Sequence, residues 1–333
     1  MLPSPTPGNE TKVFDPLDSA TNSGGSEVLD PSVVYRDGCW WMYLAGQAEG
    51  FGPPELFSAS LAPGDALSAH GWTLTRDANG VLTPLAGREA SQPWDGKGGR
   101  HCPSYVRGWN PHKRKWVERI YYAGAADDIR GPYTIGYIEW DGARWIDNSE
   151  PVFRAAEDWE HGSVYEPNLI YHNGKWRMWY VAGANRDNYL VHGYSESEDG
   201  VSGWSAHTIF APAEMRMFDF CVRPRGGGFD AVFSRVSGGE PPPETGLWWS
   251  RAETPSPRLS DWGEPVQIMT AEDRGWHAGP FKPSLAFDEK NNGEAAEMNA
   301  MVFFGGMYRT SDGGPFPFVF TLGCLELALP RCA

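Results

Sequence analysis

The chain has 333 residues, of which 41% are hydrophobic and 14% aromatic, and it contains 40 Gly and 28 Pro. This composition predicts a sizeable core and many tight turns, and it argues against a fold built from long helices. A net charge of −15 disfavours nucleic acid and anionic membranes as partners, and no run of 18 apolar residues predicts a membrane span.

The N-terminal segment MLPSPTPG lacks the basic and apolar parts of a secretion signal. We therefore expect residues 1–10 to form a flexible arm, followed by a single domain over residues 11–333. The five cysteines are odd in number and have neither metal-type nor framework spacing, which favours a reducing compartment. These features together predict a cytoplasmic protein.

One pattern recurs along the chain: an acid, a Pro, a strand-forming run, a tight turn and an aromatic-rich run. The two clearest copies are VLDPSVVY followed by DG and CWWMYL, and VYEPNLIY followed by NG and KWRMWY, within residues 28–44 and 164–180. Asp-Gly and Asn-Gly supply the positive φ values that a tight hairpin turn requires. Each copy therefore predicts two short strands joined by a hairpin.

Aligning the chain on the residue after the acid gives five copies, on average about 63 residues apart; they begin at Pro31, Pro103, Pro167, Phe220 and Pro283. The predicted first strands cover 32–35, 104–107, 168–171, 221–223 and 284–287. The second strands cover 40–44, 116–123, 176–182, 229–236 and about 298–305. The third strands cover 56–60, 134–140, 190–197, 247–251 and 316–321. The fourth strands open near Trp72, Trp145, Trp204 and Trp262, with 325–329 in the last copy.

Five copies of four short antiparallel strands predict an all-β fold, a five-bladed β-propeller. A β-sandwich or a pair of all-β domains is the alternative, and the evenly spaced copies disfavour it. We expect residues 11–14 to complete the last blade, because closing the ring removes two open sheet edges.

The first strand of each propeller blade lines the central channel, so the positions before the aligned residues should converge at one mouth. They are Asp30, Cys102, Glu166, Asp219 and Lys282. Buried charges are costly unless they are used or paired, which makes the four ionisable members functional candidates. Asp30 and Glu166 are expected to face each other, as the acid and the base or nucleophile of glycoside hydrolysis do. The alternative is that each acid caps a turn at a strand start.

Residues 28–43, with Asp30, Pro31 and WWMY, resemble the first blade of the five-bladed glycosidases of glycoside hydrolase family 43 and its relatives, families 32, 68, 117 and 130. The resemblance implies a glycosidase in which Asp30 is the general base and Glu166 the general acid. Two positions depart from the family pattern. The second-blade Asp that tunes the acid falls on Ser104, and Glu166 stands one residue before its Pro instead of two. A phosphorolytic or non-hydrolytic relative and a non-catalytic sugar-binding propeller therefore stay open.

The same resemblance suggests roles for two histidines. Family 43 often has a His before the fifth-blade strand, beside a channel water or calcium, and this position corresponds to His277. Family 117 has a His where an acid is expected, so His101 and His277 are reserve candidates for the acid. We expect no cofactor. The one metal that the resemblance implies is a structural calcium in the channel.

The remaining candidates would bind the substrate. Arg130 and Arg186 lie in equivalent loops of successive blades, and a guanidinium can bind a carboxylate or vicinal hydroxyls through two hydrogen bonds. Asp219 and Lys282 would tune the acids or bind the sugar. Three tryptophans precede first strands and could either stack on sugar rings or pack between blades; they are Trp94, Trp159 and Trp276.

Overall fold

The computed structural model describes residues 4–21, 23–24, 26–47, 53–87, 94–127, 131–183, 190–236, 244–287, 297–309 and 318–330. Over these residues the chain forms five four-stranded antiparallel sheets. They are the five blades of the propeller predicted from the sequence. None of the helices in the described ranges has the length and apolar character needed to cross a membrane.

In blades 1 to 4 the strands follow one another in chain order from the centre of the blade to its outer edge. Blade 1 contains β2 (Glu27–Arg36), β3 (Cys39–Gln47), β4 (Glu55–Ser60) and β5 (Thr73–Leu74). Blade 2 contains β6 (Gly99–Asn110), β7 (Lys115–Ala125), β8 (Tyr133–Trp140) and β9 (Trp145–Asp147). Blade 3 contains β10 (Val164–His172), β11 (Lys175–Ala182), β12 (Val191–Ser197) and β13 (Thr208–Ala211).

Blade 4 contains β14 (Cys221–Arg225), β15 (Gly228–Val236), β16 (Glu244–Ala252) and β17 (Val266–Thr270). Blade 5 contains β18 (Gly279–Phe287), β19 (Glu297–Arg309), β20 (Phe318–Pro330) and β1 (Thr6–Phe14). Three short 3₁₀ helices occur within the described ranges, at Asp158–Glu160, Ala213–Met215 and Leu259–Asp261.

The last blade is completed by the N-terminal strand, because β1 pairs antiparallel with β20 and forms the outer edge. This confirms the predicted closure by residues 11–14 and corrects two expectations. Residues 6–10 belong to β1 and so are not part of the flexible arm predicted over residues 1–10. Residues 325–329, predicted as a fourth strand, are the C-terminal part of β20. The outer position is already filled by β1, so β20 runs on without a turn.

The core lies between neighbouring blades, where the apolar faces of adjacent sheets meet. Trp176 is fully buried between blades 2 and 3 and packs against Tyr121. Trp179 is fully buried between blades 3 and 4, with Phe220 and Trp262 around it. These rings fix how closely one blade approaches the next, because an aromatic side chain buries a large area in a defined orientation.

Four first strands carry a β-bulge at the aligned position. The pairing with the second strand skips two residues in blades 1, 2, 3 and 5. The residues before Pro in these bulges are Asp30, Cys102, Glu166 and Lys282, with φ of 55°, 56°, 52° and 45°. This left-handed conformation is uncommon for residues with a side chain. The following Pro has no N–H to add to the ladder, and a bulge redirects the side chain that it carries.

One residue after each aligned position, a polar side chain accepts a backbone N–H from the next blade. The five acceptors are Ser32, Ser104, Asn168, Cys221 and Ser284, and the donors in the same order are Tyr105, Leu169, Val222, Leu285 and Val33. The last bond returns to blade 1, so the five bonds form a closed circuit, which we call the channel ring. The ring confirms the alignment of all five copies, including Phe220 in the place of Pro.

Removing one acceptor of the channel ring should destabilise the fold. In an Asn168→Ala variant the buried Val222 N–H, which now lies 2.9 Å from Asn168 Oδ1, has no acceptor. We expect the free energy of unfolding to fall by about 1–3 kcal/mol, measured by denaturant titration. The matched control is Asn148→Ala, which loses a hydrogen bond on the surface and should cost less than about 0.5 kcal/mol. Equal losses in the two variants would contradict a structural role for the ring.

Candidate active site at the channel mouth

The five residues that precede the aligned positions form one group of buried side chains at the channel mouth. Asp30, Glu166 and Asp219 are 3%, 5% and 1% exposed, and Cys102 and Lys282 are buried beside them. Residues of all five blades line a cavity of about 10 Å³ next to this group, about the space that one water molecule needs. We call the five side chains the mouth group.

Cys102 connects the two carboxyls that were predicted as acid and base. Its backbone N–H donates to Asp30 Oδ2 at 3.0 Å, and its thiol donates to Glu166 Oε1 at 3.0 Å. Asp30 belongs to blade 1 and Glu166 to blade 3, so blade 2 supplies both bonds between them. The two carboxyls therefore meet at a shared residue near the channel axis.

Lys282 is the cation of the mouth group. Its Nζ lies 2.7 Å from Glu166 Oε2, and its backbone N–H donates to Asp219 Oδ2. Ser234 holds Asp219 in place, since its N–H and its hydroxyl donate to the two carboxylate oxygens at 2.9 and 2.8 Å. Blade 5 thus neutralises Glu166 with a side chain and holds Asp219 with its backbone.

The electrostatics of the mouth group separate its acids. Burial, and then the charge of Glu166, raise the pKa of Asp30 to about 7, against the opposing effect of Lys282. The same two causes raise the pKa of Asp219 to about 6. Burial opposes the charge of Lys282, but the neighbouring anionic groups outweigh it and raise its pKa. Asp30 can therefore exchange a proton near neutral pH, while an ammonium group stabilises the negative charge of Glu166.

An aromatic chain leads away from the mouth group in blades 2 and 3. Tyr165 precedes Glu166, and burial followed by the charge of Glu166 raises the pKa of the Tyr165 hydroxyl well above its usual value. Tyr165 packs against Tyr133, which makes a T-shaped contact with the His101 ring. Nε2 of His101 donates to the Gly98 carbonyl at 2.8 Å. The predicted reserve acid His101 thus lies beside Cys102, with its ring nitrogen bonded to the backbone.

Sequence reasoning missed His192 and the two tyrosines as neighbours of the mouth group. His192 lies on β12 and is buried. Burial, opposed by backbone hydrogen bonds and aided by the charge of Lys282, lowers the pKa of His192 to about 3. The ring is therefore neutral at pH 7. The repeat alignment pointed only to first strands and gave no signal for a third-strand residue at this place.

Two further predicted residues hold parts of the fold together. Ser104, at the place of the family's second-blade Asp, accepts the Leu169 N–H as a member of the channel ring. His277 is fully buried away from the mouth group, and its Nε2 donates to Glu10 Oε1 at 2.7 Å. Because Glu10 lies on β1, this bond ties the closing strand to blade 5.

The three predicted tryptophans pack against neighbouring side chains and backbone. Trp94 stacks on Tyr122 and donates to the Ser149 carbonyl. Trp159 stacks on Tyr180, and Trp276 stacks on Phe304 and contacts His277. In each case the stacked ring belongs to the blade that the tryptophan precedes, so these are packing contacts within blades 2, 3 and 5 and not between blades. The two predicted arginines, Arg130 and Arg186, lie outside the described residues.

The residues of the mouth group are not suited to bind the structural calcium that the family resemblance implied. Among the described residues, no group of three or more His, Cys, Asp and Glu side chains is arranged to hold a metal ion. The Lys282 ammonium already lies against the Glu166 carboxylate and would repel a second cation. His277, the residue that the resemblance assigned beside the calcium, donates to Glu10 instead.

The buried acids should make the stability of the protein fall as the pH rises. The folded-state pKa of Asp30, about 7, lies above its ordinary value of 3.8, so the folded state keeps a proton that the unfolded chain releases. Between about pH 4 and 7 this difference progressively destabilises the fold. In an Asp30→Asn variant this contribution is absent, and Asn still accepts the Cys102 N–H.

We therefore expect Asp30→Asn to gain stability over the wild type as the pH rises from 4 to 8, by up to about 4 kcal/mol. Urea unfolding at a series of pH values measures the difference. The exposed carboxyl in Asp65→Asn serves as the control and should give the same difference at every pH. A constant difference for Asp30→Asn as well would show that this carboxyl does not retain its proton in the folded state.

No protein-family model and no curated protein matches the sequence. The fold, in contrast, is similar to solved glycoside hydrolases. A family 117 glycoside hydrolase from the marine bacterium Zobellia galactanivorans has a TM-score of 0.65 at 13% identity, with 98% of this chain and 91% of that chain covered. A thermostable family 43 glycoside hydrolase has a TM-score of 0.62 at 13% identity, covering 90% and 89%.

The catalytic domain of a family 62 α-L-arabinofuranosidase from Coprinopsis cinerea has a TM-score of 0.61 at 14% identity, and the alignment covers 99% of this chain and 98% of that chain. At these identities the comparisons establish the fold. The chain is a divergent five-bladed β-propeller of the architecture found in family 43, 62 and 117 glycoside hydrolases.

Proposed function

We propose that the protein is a glycoside hydrolase that acts on a carbohydrate at the channel mouth. The observation that carries the proposal is the pair of buried carboxyls, Asp30 and Glu166, which meet at Cys102: the pKa of Asp30 is raised to about 7, and Glu166 is paired with the Lys282 ammonium group. Glycoside hydrolysis needs such a pair, one member to protonate the leaving oxygen and the other to act as base or nucleophile. The shared fold with glycoside hydrolases supports the same conclusion.

The electrostatics favour the reverse of the roles implied by the family resemblance. A general acid must hold a proton near neutral pH, and the pKa of Asp30, raised to about 7, meets that requirement. A base or nucleophile must be negatively charged, and Lys282 stabilises the charge of Glu166. We therefore assign proton donation to Asp30 and the role of base or nucleophile to Glu166.

The two carboxyls can be told apart by the leaving group of the substrate. Aryl α-L-arabinofuranosides come first in the substrate panel, because three of the similar structures are α-L-arabinofuranosidases; aryl xylosides and galactosides follow. Asp30→Asn should lower the hydrolysis of a natural glycoside by about 10²–10⁴-fold. An activated aryl glycoside, whose leaving group needs little protonation, should lose far less. Glu166→Gln should lower the hydrolysis of both substrates.

Asp65→Asn, an exposed change, serves as the control and should leave both rates unchanged. The opposite pattern, with the aryl substrate spared only in Glu166→Gln, would restore the roles implied by family 43. Unchanged rates in both active-site variants would exclude the two-carboxylate mechanism. Hydrolysis of no member of the panel by the wild type would reject the proposal for these sugars.

One observation favours a second candidate, a sugar-binding propeller or a phosphorolytic relative. Lys282 and Glu166 form a buried ion pair at 2.7 Å, and removing a carboxylate from such a pair is costly. A lysine in this place could also hold a phosphate. Calorimetric titration with monosaccharides, with and without inorganic phosphate, separates the candidates. Binding without turnover identifies a binding protein, and a sugar phosphate formed only with phosphate identifies phosphorolysis.

A further inference from the structure

We infer that Cys102 is a positioning residue of the proposed site, whose thiol holds the Glu166 carboxylate in a fixed relation to Asp30 and Lys282. The inference rests on the proposed function and adds a residue with its own role to it. A thiol at the mouth of the channel has three other obvious uses, as a nucleophile, a metal ligand or a passive filler of the core. The contacts of Cys102 distinguish among these.

The first support is geometric. Cys102 uses both of its donors on the two carboxyls: the backbone N–H on Asp30 and the thiol on Glu166, each at 3.0 Å. Its φ of 56° belongs to the bulge that directs the side chain into the mouth group. A residue with a side chain tolerates this backbone conformation only where the surroundings enforce it. A passive filler would need neither the strained backbone nor the two bonds.

The second support is the protonation of the thiol. Burial, followed by the charges of Asp30 and Glu166, raises the pKa of Cys102 well above its usual value. The sulfur therefore keeps its proton at neutral pH. A protonated thiol is a poor nucleophile and a poor metal ligand, but it is a hydrogen-bond donor. This excludes the two reactive uses.

The third support is the charge of the mouth group. Three members are carboxyls, and Lys282 supplies the only positive charge among the five side chains of the group. A charged donor in the second-blade position would change this balance, and a carboxylate there would add a further repulsion. A thiol supplies a hydrogen bond to Glu166 and leaves the balance unchanged.

Side-chain variants separate the thiol bond from the backbone bond. Cys102→Ala removes the donor to Glu166, while the backbone N–H to Asp30 is retained; Cys102→Ser restores a donor. A hydrogen bond to a charged group contributes about 1.5–3 kcal/mol, so we expect kcat to fall about 10–100-fold in Cys102→Ala. KM should change by less than about twofold, and Cys102→Ser should recover most of kcat.

The pH–rate profile gives a readout that a merely structural role would not change. Glu166 faces the Cys102 thiol and the Lys282 ammonium, with Asp30 and Asp219 close enough to interact through their charges and Tyr165 beside it in the strand. Loss of the thiol donor disfavours the negative form of Glu166. The acidic limb of the profile should therefore move to higher pH in Cys102→Ala and return in Cys102→Ser.

Cys39→Ala is the matched control, because Cys39 is also buried and its thiol donates to a backbone carbonyl, that of Leu61, at 2.9 Å. This variant should keep the wild-type kcat and pH profile. If Cys102→Ala does the same while the wild type hydrolyses glycosides, the inference is wrong and the proposed function stands.

Infrared spectroscopy tests the contact without any activity. The S–H stretching band of Cys102, obtained as the difference between wild type and Cys102→Ala, should lie below the band of a free thiol and move up in Glu166→Gln. If the band lies at the free-thiol position and does not move in Glu166→Gln, the inference is overturned. A shifted band in a protein that turns over no glycoside confirms the thiol contact and places the failure in the proposed function.

Discussion

The closed circuit of hydrogen bonds around the channel is the constraint on which the rest of the structure depends. Each bond joins the side chain of one first strand to the backbone of the next, so the five blades share one register. The acceptors stand two residues after the members of the mouth group. Fixing Ser32 therefore fixes Asp30, and fixing Asn168 fixes Glu166. The aromatic packing between blades then fills the space that this circuit defines.

The circuit also explains how acids can be buried together. The bulges direct four side chains towards the channel mouth at the cost of an unusual backbone conformation. The mouth group then contains three carboxyls and one ammonium group, and the ammonium group lies against Glu166. Burial, together with the charge of Glu166, raises the pKa of Asp30 and that of Asp219. A fold selected for stability alone would avoid this arrangement, and such a compromise is typical of functional sites.

The sequence predicted the architecture because its signals are local. An acid followed by Pro marks the bulge, and Asn-Gly or Asp-Gly marks the hairpin beside it, so the repeat could be read from short segments. The error in blade 5 had a non-local cause. Residues 325–329 are suited to a strand, but whether they begin a new one depends on β1, more than 300 residues away. The same limit applies to the N-terminal arm, since residues 6–10 become a strand only by pairing with β20.

The candidate site was predicted in part for the same reason. The alignment brought Asp30, Glu166, Asp219 and Lys282 to one place, because first strands converge in any propeller. It could not assign their partners. Whether Lys282 contacts Glu166 or Asp30 depends on side-chain directions that the bulges set, and no sequence pattern records them. His277 and Ser104 show the opposite error. Their sequence positions matched a family site, but their contacts in the structure hold the fold together.

A division of labour between backbone and side chains lets the positions of the mouth group carry different residue types. Cys102 and Lys282 both use the backbone N–H to hold the carboxyl of the preceding blade, Asp30 and Asp219 respectively. That bond exists for any residue except Pro, so it places no demand on the side chain. The side chain at each position is then free to vary, and here it is a thiol in one blade and an ammonium group in another. The backbone consequently fixes the place of the mouth group, while its five side chains determine its chemical character.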